Sequence, residues 1–299
     1  MTPAKEPGLL RSVLRSGLSE RGQKEVSLVL DSLSIDYRVE RSPGGYILTV
    51  DPSDEAVART ALTEYAAENK GWPGEEEPLP VLSPHRVSHV FYAATLSAFH
   101  WFSLRHVGGI DWHQEGMAQA GKVQQGEWWR SITSLCLHLD ERHLLGNIVF
   151  GILFGFFVCQ LFGPGVGWGA ILAAGILGNL VATAIHPATH AAVGASTAVF
   201  GSVGILVAYQ WARRRDAGAG PLHRRAPLLI GLALLGYLGT SGDHTDILSH
   251  VTGFLAGLFL GSLLAGQRHK LPASPVAQIG WAVGVAVTLA GAWWKALQS

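Results

Sequence analysis

Charged residues are scarce in this chain, and the scarcity is uneven. They make up 15% of its 299 residues, against about a quarter in soluble domains. No Asp, Glu, Lys or Arg occurs from His143 to Ala212, whereas the first 86 residues are rich in charge. An apolar run of about 20 residues is long enough for a helix to cross a bilayer. The pattern predicts a protein embedded in a lipid bilayer, with a soluble N-terminal part.

Other absences exclude further classes of protein. The formal net charge is zero, so nothing indicates a nucleic-acid partner. The two cysteines, Cys136 and Cys159, lie in apolar contexts without metal-ligand spacing, which indicates reduced core residues. No signal peptide precedes the first long apolar run, which begins near Val87. We therefore expect the N-terminal part to stay in the cytoplasm.

Residues 1–70 predict a small soluble α+β domain. Its predicted elements are a helix over 23–33, strands over 35–39 and 46–50 with a hairpin connection at 42–45, and a helix over 51–69. Asp51 suits the N-cap of the second helix and Pro52 its first position. The domain has no recognisable catalytic constellation, so regulatory, docking, dimerising and purely stabilising roles stay open. Residues 71–86 are rich in Pro and Glu and predict a linker.

Seven apolar segments then predict seven membrane-spanning helices. Their approximate ranges are 87–104, 143–162, 165–186, 196–212, 226–241, 247–266 and 275–295. The first six form a core over 87–266, and residues 267–299 hold a cytoplasmic loop and the seventh span. The long loop at 105–128 is rich in Gly and Trp. It suits either Trp anchors in the headgroup region or a partly buried loop in the outer leaflet.

The distribution of basic residues predicts the direction in which these spans cross the membrane. The basic residues of the loops after the fourth and sixth spans are Arg213, Arg214, Arg215, Arg224, Arg225, Arg268 and Lys270. The loop after the third span has none, and the loop after the fifth carries Asp243 and Asp246. The positive-inside rule makes the arginine loops cytoplasmic, with the N-terminus in the cytoplasm and the C-terminus outside. A bacterial inner membrane is the simplest location.

Polar residues inside the predicted spans are costly in lipid and therefore indicate a site. His143 and Asn147 lie at the start of the second span, just after His138. Ser196 begins the fourth span, and His250 lies near the start of the sixth. Because these three spans run in the same direction, we expect their polar residues at one depth, near the outer surface. Random placement would scatter them.

The chemistry of these residues suits acyl transfer. A serine hydroxyl becomes a good nucleophile when a nearby imidazole takes its proton. Gly194 permits a tight loop before Ser196, and a helix start offers unpaired N–H groups that can stabilise an oxyanion. His143 and Asn147 are four residues apart and share one helix face. Both can donate hydrogen bonds toward one point.

Each of these residues also has an ordinary structural explanation. A serine at a helix start usually caps the helix, and a histidine or asparagine in a span usually bonds to a neighbouring helix. The four-residue spacing of Gly253, Gly257 and Gly261 mainly indicates close helix packing. Their joint placement is what favours a catalytic site.

At these residues the chain resembles the rhomboid family of intramembrane serine proteases, over roughly 87–266. The resemblance rests on Trp129-Arg130, His138 with His143-x-x-x-Asn147, Gly194-x-Ser196-x-x-x-x-Gly201, and His250-x-x-Gly253-x-x-x-Gly257. Each motif is modest, but their order and spacing across separate spans are specific. Thr197 follows the serine where glycine is common in the family.

The resemblance implies a six-helix core with an added seventh span, and a catalytic dyad of Ser196 and His250 without an acidic third residue. It implies an oxyanion hole formed by His143, Asn147 and the backbone amide of Ser196. The implied substrates are single-span membrane proteins, cleaved near the outer membrane face without a metal or cofactor.

The resemblance also gives supporting residues their roles. It implies that Phe200 packs against the His250 imidazole, although ordinary helix packing stays open for Phe200. Trp129 and Arg130 match a structural motif that orders the loop between the first two spans. The oligomeric state does not follow from either line of reasoning.

Three alternatives remain. A catalytically inactive rhomboid-like binding protein usually lacks the serine or the second histidine, and both are present. A transporter usually carries charges within its spans or paired interrupted helices, so the charge-free stretch argues against one. A histidine metal site is the third, because the chain has 13 histidines. His186, His190 and His244 are expected on the outer side, but they lack strong ligand spacing.

Overall fold

The computed structural model describes residues 11–69, 86–239, 246–267 and 274–299. It divides the chain into two compact units, Met1–Gly74 and Glu75–Ser299. Except for Arg86, the predicted linker lies outside the described residues. So do four residues used in the sequence interpretation, Asp243, His244, Arg268 and Lys270.

The N-terminal unit is the expected α+β fold, with two helices packed on a three-stranded antiparallel sheet. Its elements are β1 (Ser12–Leu18), α1 (Glu20–Ser32), β2 (Tyr37–Ser42), β3 (Gly45–Val50) and α2 (Glu55–Glu68). The strand order is β1-β3-β2, and Val50 lies opposite both Ser12 and Tyr37. Leu48 of β3 and Leu30 of α1 are fully buried in the core between sheet and helices.

Strand β1 is missing from the prediction. Its pairing with β3 is interrupted by register shifts on both sides of Arg15, and Leu14 is its only buried residue. A strand without regular alternation gives little sequence signal. Strand β2 begins at Tyr37 rather than at 35, because the amide of Ile35 still donates to the carbonyl of Leu30 at the end of α1 (3.0 Å).

The predicted N-cap at Asp51 is wrong, because α2 begins only at Glu55. The Asp51 carboxylate accepts hydrogen bonds from the amide (3.1 Å) and hydroxyl (2.8 Å) of Ser53. The Asp51 carbonyl accepts from the amide of Asp54 at 3.0 Å. These bonds close a turn ahead of the helix, with Pro52 at its second position. Asp and Pro favour those turn positions as strongly as they favour a helix start.

The second unit is mostly helical. Its elements are α3 (Arg86–Arg105), α4 (Trp112–Gly116), β4 (Ala118–Gln119), α5 (Ala120–Gln124), α6 (Arg130–Thr133), α7 (Glu141–Phe162), α8 (Pro164–Ile185), β5 (Ala191–Ala192), α9 (Ser196–Asp216), α10 (Pro221–Leu238), α11 (Ile247–Gly266) and α12 (Pro275–Ala296). Each of the seven predicted spans coincides with one long helix. The main difference is α10, which begins at Pro221 rather than near 226. Proline needs no hydrogen-bond partner for its nitrogen in the first turn.

Four of these helices, α7, α8, α11 and α12, are long and apolar enough to cross a membrane. The other three predicted spans, α3, α9 and α10, are helices of 20, 21 and 18 residues, which is long enough, but they are not apolar enough to meet the same limit. The chain is a helical multi-pass membrane protein with a small α+β unit at its N-terminus.

Glycines bring α9 and α11 into close contact. A Cβ atom on Gly253 would overlap the carbonyl oxygen of Thr197, and one on Gly257 would overlap that of Gly201. Without side chains at these points the two backbones can touch, as the four-residue spacing of the glycines predicts. The contact holds the first turns of α9 and α11 side by side.

The segment between α3 and α7 is folded and packs against α12. Trp112 (9% exposed) and Trp129 (7% exposed) lie in a core with Trp293 of α12. The prediction that these tryptophans anchor in lipid headgroups is therefore wrong for Trp112 and Trp129, whereas Trp128 stays 55% exposed. Their large apolar rings find protein contacts instead of lipid. The segment is partly buried, as the second alternative expected, and its position in the outer leaflet stays a prediction.

Arg130 holds this segment together from inside. Its side chain is almost fully buried and forms an ion pair with Glu127. It also donates to the backbone carbonyls of Gln114 (2.9 Å) and Met117 (3.2 Å). A buried guanidinium is stable only when its donors are satisfied in this way. These contacts agree with the loop-ordering role implied for the Trp129-Arg130 pair.

Candidate active site

Three helices, α7, α9 and α11, begin at one cleft, but only two of them have a side-chain cap. The Asp140 carboxylate accepts from the amide of His143 at the start of α7 (2.8 Å), and Asp246 accepts from that of Ser249 at the start of α11 (3.0 Å). Ala195 precedes α9 and offers no capping side chain. The first turn of α9 therefore keeps amide donors that no cap occupies.

Ser196 and His250 form a direct hydrogen bond. The Ser196 Oγ atom lies 2.9 Å from the Nε2 atom of His250. The other ring nitrogen, Nδ1, lies 2.9 Å from the carbonyl oxygen of Gly239. A carbonyl only accepts, so Nδ1 carries the proton and Nε2 presents its lone pair to the serine hydroxyl. Ser196 is not the N-cap of its helix.

The Gly239 carbonyl is a partner that the sequence interpretation missed. Gly239 follows the last residue of α10, where carbonyl groups lack helical partners. A backbone oxygen leaves no trace in the residue type, so no sequence signal could have identified it.

Phe200 lies against the His250 imidazole. The two ring centroids are 4.6 Å apart, with an angle of 39° between the planes. Phe200 is buried, one turn along α9 from Ser196. The ring restricts the imidazole from one side while Gly239 fixes its Nδ1 atom.

His143 and Asn147 lie on α7, and both line the cleft that contains Ser196. The side-chain amide of Asn147 donates to the His143 carbonyl at 2.8 Å, which leaves its second N–H available. The Nδ1 atom of His143 is buried and has no hydrogen-bond partner in the described part of the chain. Tyr92 of α3 supports this part of α7 by donating to the carbonyl of Asn147 at 2.9 Å.

Gly194 shapes the turn that leads into Ser196. Its φ angle is +132°, which residues other than glycine rarely adopt. A Cβ atom there would lie 2.7 Å from the His143 ring, and the Gly194 amide donates to the carbonyl of Ser134 at 2.9 Å. Only glycine allows the serine loop to approach His143 so closely.

His138 supports the same loop from behind. It is almost fully buried, and its Nε2 atom accepts from the amide of Ala195 at 3.5 Å. Its ring lies 5.1 Å from that of His143. Burial, with a smaller contribution from His143, lowers the pKa of His138 to about 3. The ring is therefore uncharged at neutral pH and acts as a hydrogen-bond acceptor.

Five predicted site residues thus line one cavity of about 1010 Å³: His143, Asn147, Ser196, Phe200 and His250. Gly201, Gly253 and Gly257 lie instead at the contact between α9 and α11. His113 and Met117, from the folded segment between α3 and α7, also line the cavity. So do His190 and Asp246, which are absent from the predicted site. They are 56 residues apart in the chain, so the sequence does not show that they are in contact.

Comparison with known proteins agrees with this architecture. Residues 125–267 match the family model of the Rhomboid domain, a range that includes every predicted site residue. The rhomboid protease GluP of Bacillus subtilis is 30% identical over 177 residues, which cover 56% of this chain and 33% of GluP. Rhomboid-like protease 1 of Toxoplasma gondii is 29% identical over 153 residues, 50% of this chain and 52% of that protein.

A shorter relative matches over most of its length. YdcA of Bacillus subtilis is 26% identical over 183 residues, which cover 60% of this chain and 90% of YdcA. In contrast, the chain spans only about a third of GluP and half of the Toxoplasma gondii relative.

Proposed function

The chain belongs to the rhomboid family, and we propose that it is an intramembrane serine endopeptidase whose nucleophile is Ser196 and whose general base is His250. The observation that carries the proposal is the 2.9 Å hydrogen bond between Ser196 Oγ and His250 Nε2. Both partners lie in a cleft large enough to admit a peptide segment and water.

The geometry supports a direct sequence of proton transfers. His250 takes the Ser196 proton on Nε2 as the oxygen attacks the peptide carbonyl, and then gives it to the leaving amine. Water hydrolyses the resulting acyl-enzyme ester with the same base. The Gly239 carbonyl keeps the Nδ1 proton in place throughout. This chemistry requires no metal or cofactor.

The negative charge on the tetrahedral intermediate needs donors close to Ser196. The uncapped start of α9 offers the Ser196 amide, and α7 offers His143 together with the free N–H of Asn147. In this proposal these three groups form the oxyanion hole. Donors of this kind are worth about 3–4 kcal/mol each when they are essential.

The proposed substrates are single-span membrane proteins, cleaved near the outer face. Helix α9 has 21 residues and is about 30 Å long, close to the thickness of the hydrocarbon core. Ser196 opens it, and Arg213, Arg214 and Arg215 lie in its last turn. Because arginines favour the cytoplasmic side, Ser196 lies near the outer side. In this proposed orientation the N-terminus is in the cytoplasm and the C-terminus is outside.

A cleavage assay in liposomes tests the proposal. We expect the wild-type chain to cleave a model single-span substrate and Ser196→Ala to show no cleavage above background. Ser202→Ala is the matched control, because Ser202 lies on the same helix and its hydroxyl donates to the carbonyl of Val199 (2.6 Å) rather than to His250. Cleavage by Ser196→Ala at a rate near that of Ser202→Ala would refute the assignment of the nucleophile.

A further inference from the structure

Three side chains that the proposed mechanism does not use meet at the edge of the cleft. The Nε2 atom of His186 lies 3.0 Å from Oδ1 of Asp246, and that of His190 lies 3.0 Å from Oδ2. The two imidazole rings stack with centroids 3.6 Å apart. All three ligand atoms lie within 4.8 Å of one another. The three residues are called the His-His-Asp cluster below.

The donor set is that of a transition-metal site. Two imidazole nitrogens and one carboxylate oxygen are ligands typical of Zn²⁺ in sites that keep a fourth position for water. With bonds of about 2.0–2.1 Å, the ligand atoms around a tetrahedral zinc ion lie about 3.3 Å apart. In the cluster each imidazole Nε2 lies 3.0 Å from a different Asp246 oxygen, Oδ1 for His186 and Oδ2 for His190, and one ligand atom from each residue lies within 4.8 Å of the other two, so the side chains draw closer around the ion. We propose that the His-His-Asp cluster binds one Zn²⁺ ion per chain.

The fold fixes the backbone of the three ligand residues before any ion binds. His186 directly follows α8, and its carbonyl accepts from the side chain of Gln124 at 3.1 Å. The carbonyl of His190 accepts from the amide of Ala120 at 2.9 Å. Asp246 is fixed as the cap of α11. Ligands that are ordered in advance lose less conformational entropy when they bind an ion.

The surroundings of Asp246 also suit a metal ligand. Its carboxylate accepts hydrogen bonds from the amide (3.0 Å) and hydroxyl (2.6 Å) of Ser249 and lies 3.0 Å from each imidazole. The cluster is partly exposed, with side-chain exposures of 17%, 29% and 14% for His186, His190 and Asp246. An ion can reach it from solvent.

Zinc binding displaces a hydrogen from the Nε2 atom of each imidazole. In the metal-free cluster each Nε2 donates its hydrogen to the carboxylate, because a carboxylate only accepts. A nitrogen that binds zinc must present its lone pair, so the hydrogen leaves Nε2 and each ring binds with its remaining hydrogen on Nδ1. Asp246 exchanges two hydrogen bonds for a bond to the ion and keeps those from Ser249.

The position of the cluster links it to the cleft. His190 and Asp246 line the cavity that contains Ser196, and the amide of His250 donates to the carbonyl of Asp246 at 3.2 Å. A bound ion would tie the loop between α8 and α9 to the start of α11. Zinc binding is nevertheless independent of the proposed protease activity, since neither Ser196 nor His250 is a ligand.

A measurement of zinc content tests the proposal without relying on catalysis. The chain is purified in detergent without a histidine tag, equilibrated with Zn²⁺, desalted and analysed for bound metal. We expect one Zn²⁺ per wild-type chain and one per Ser196→Ala chain. The double variant His186→Gln/His190→Gln should lose the bound ion. His106→Gln, which removes an exposed histidine outside the cluster, should keep it.

Asp246→Asn provides a second variant that preserves folding. Asparagine still caps a helix well, but it lacks the charge, so the zinc affinity should fall more than tenfold. Zn²⁺ should raise the unfolding temperature of the wild-type chain and leave that of the double histidine variant unchanged. Absence of zinc from the wild-type chain, or equal zinc in the wild-type and double-variant chains, would overturn the proposal.

Discussion

His250 and His190 line the same cleft, yet their partners differ in chemical character. His250 faces a hydroxyl on one side and a peptide carbonyl on the other. His190, like its stacked neighbour His186, faces the carboxylate of Asp246. The carbonyl fixes one proton on Nδ1 of His250 and leaves Nε2 as a base. The carboxylate draws the Nε2 protons of the other two rings toward itself. The hydrogen-bond partner of each imidazole therefore distinguishes the proposed catalytic base from the proposed metal ligands, although all three residues are histidines.

The largest difference is expected between substitution of His250 and substitution of a histidine of the His-His-Asp cluster. We expect His250→Ala to lower kcat/KM for a single-span substrate at least about 1,000-fold, because Ser196 loses its base. His186→Gln should lower it less than tenfold, since His186 contacts Asp246 and not the serine. Cleavage rates in liposomes at pH 7 measure both. Equal losses in the two variants would mean that the cluster is part of the catalytic machinery.

A smaller loss of kcat/KM is expected from Gly194→Ala, because this change moves the loop before Ser196 away from His143. The added Cβ atom would meet the His143 ring, and alanine is strained at a φ of +132°. A shift of about 1 Å at a catalytic group costs about 100-fold in rate. The matched control is Gly284→Ala on α12, where a Cβ atom meets no other atom.

For Gly194→Ala and Gly284→Ala, kcat/KM and the unfolding temperature are both measured. Full activity in Gly194→Ala would show that the approach of the serine loop to His143 is unimportant for catalysis. That result would also remove His143 from the proposed oxyanion hole.

Asn147→Ala should have a milder effect than either change. One donor of three is lost, so we expect a decrease of about 30-fold in kcat with little change in KM, below the loss typical of a sole essential donor. Single-turnover cleavage separates the two parameters. A change confined to KM would indicate that Asn147 contacts the bound substrate rather than the developing oxyanion.

The smallest expected effect is on stability and comes from His138, which lies in a third kind of histidine environment. Its pKa is about 3 in the folded chain and about 6.5 when unfolded. The unfolded chain therefore binds the proton first, so the stability contributed by the neutral ring is complete above pH 6.5 and declines as the pH falls from 6.5 toward 3. At pH 5 the loss is about 2 kcal/mol.

The His138 prediction is measured as the difference in unfolding temperature between pH 7.5 and pH 5. His138→Gln keeps a polar group beside the Ala195 amide but does not titrate, so its unfolding temperature should fall less over this range. An identical pH dependence in the two proteins would mean that His138 is not held neutral by burial.

Sequence reasoning located the helices of the second unit well, because long apolar segments bounded by Gly, Pro and Arg are the strongest signal that a chain carries. It also predicted that Ser196, His250, His143 and Asn147 lie close together, because polar residues in lipid require an explanation, and all four line one cleft. It failed at Asp51, where a turn and a helix start favour the same residues. It also failed for Trp112 and Trp129, which protein contacts bury.

Two contacts in the cleft lay beyond any pattern in the sequence, although the sequence already offers His186 and His190 as candidate metal ligands. The partner of His250 Nδ1 is a backbone carbonyl, which every residue possesses. The His-His-Asp cluster joins residues 56 and 60 positions apart, and only the packing of α8 beside α11 brings them together. Local periodicity contains no information about contacts of that range.

The activation of Ser196 by His250 is tested most directly by covalent labelling with a serine-directed fluorophosphonate, followed by mass spectrometry of the labelled peptide. We expect the wild-type chain to be labelled at Ser196, Ser196→Ala to remain unlabelled, and His250→Ala to react much more slowly. Labelling distinguishes an active protease from an inactive rhomboid-like binding protein and from a transporter. A folded wild-type chain that resists the reagent, or a Ser196→Ala chain that is still labelled, would contradict the account.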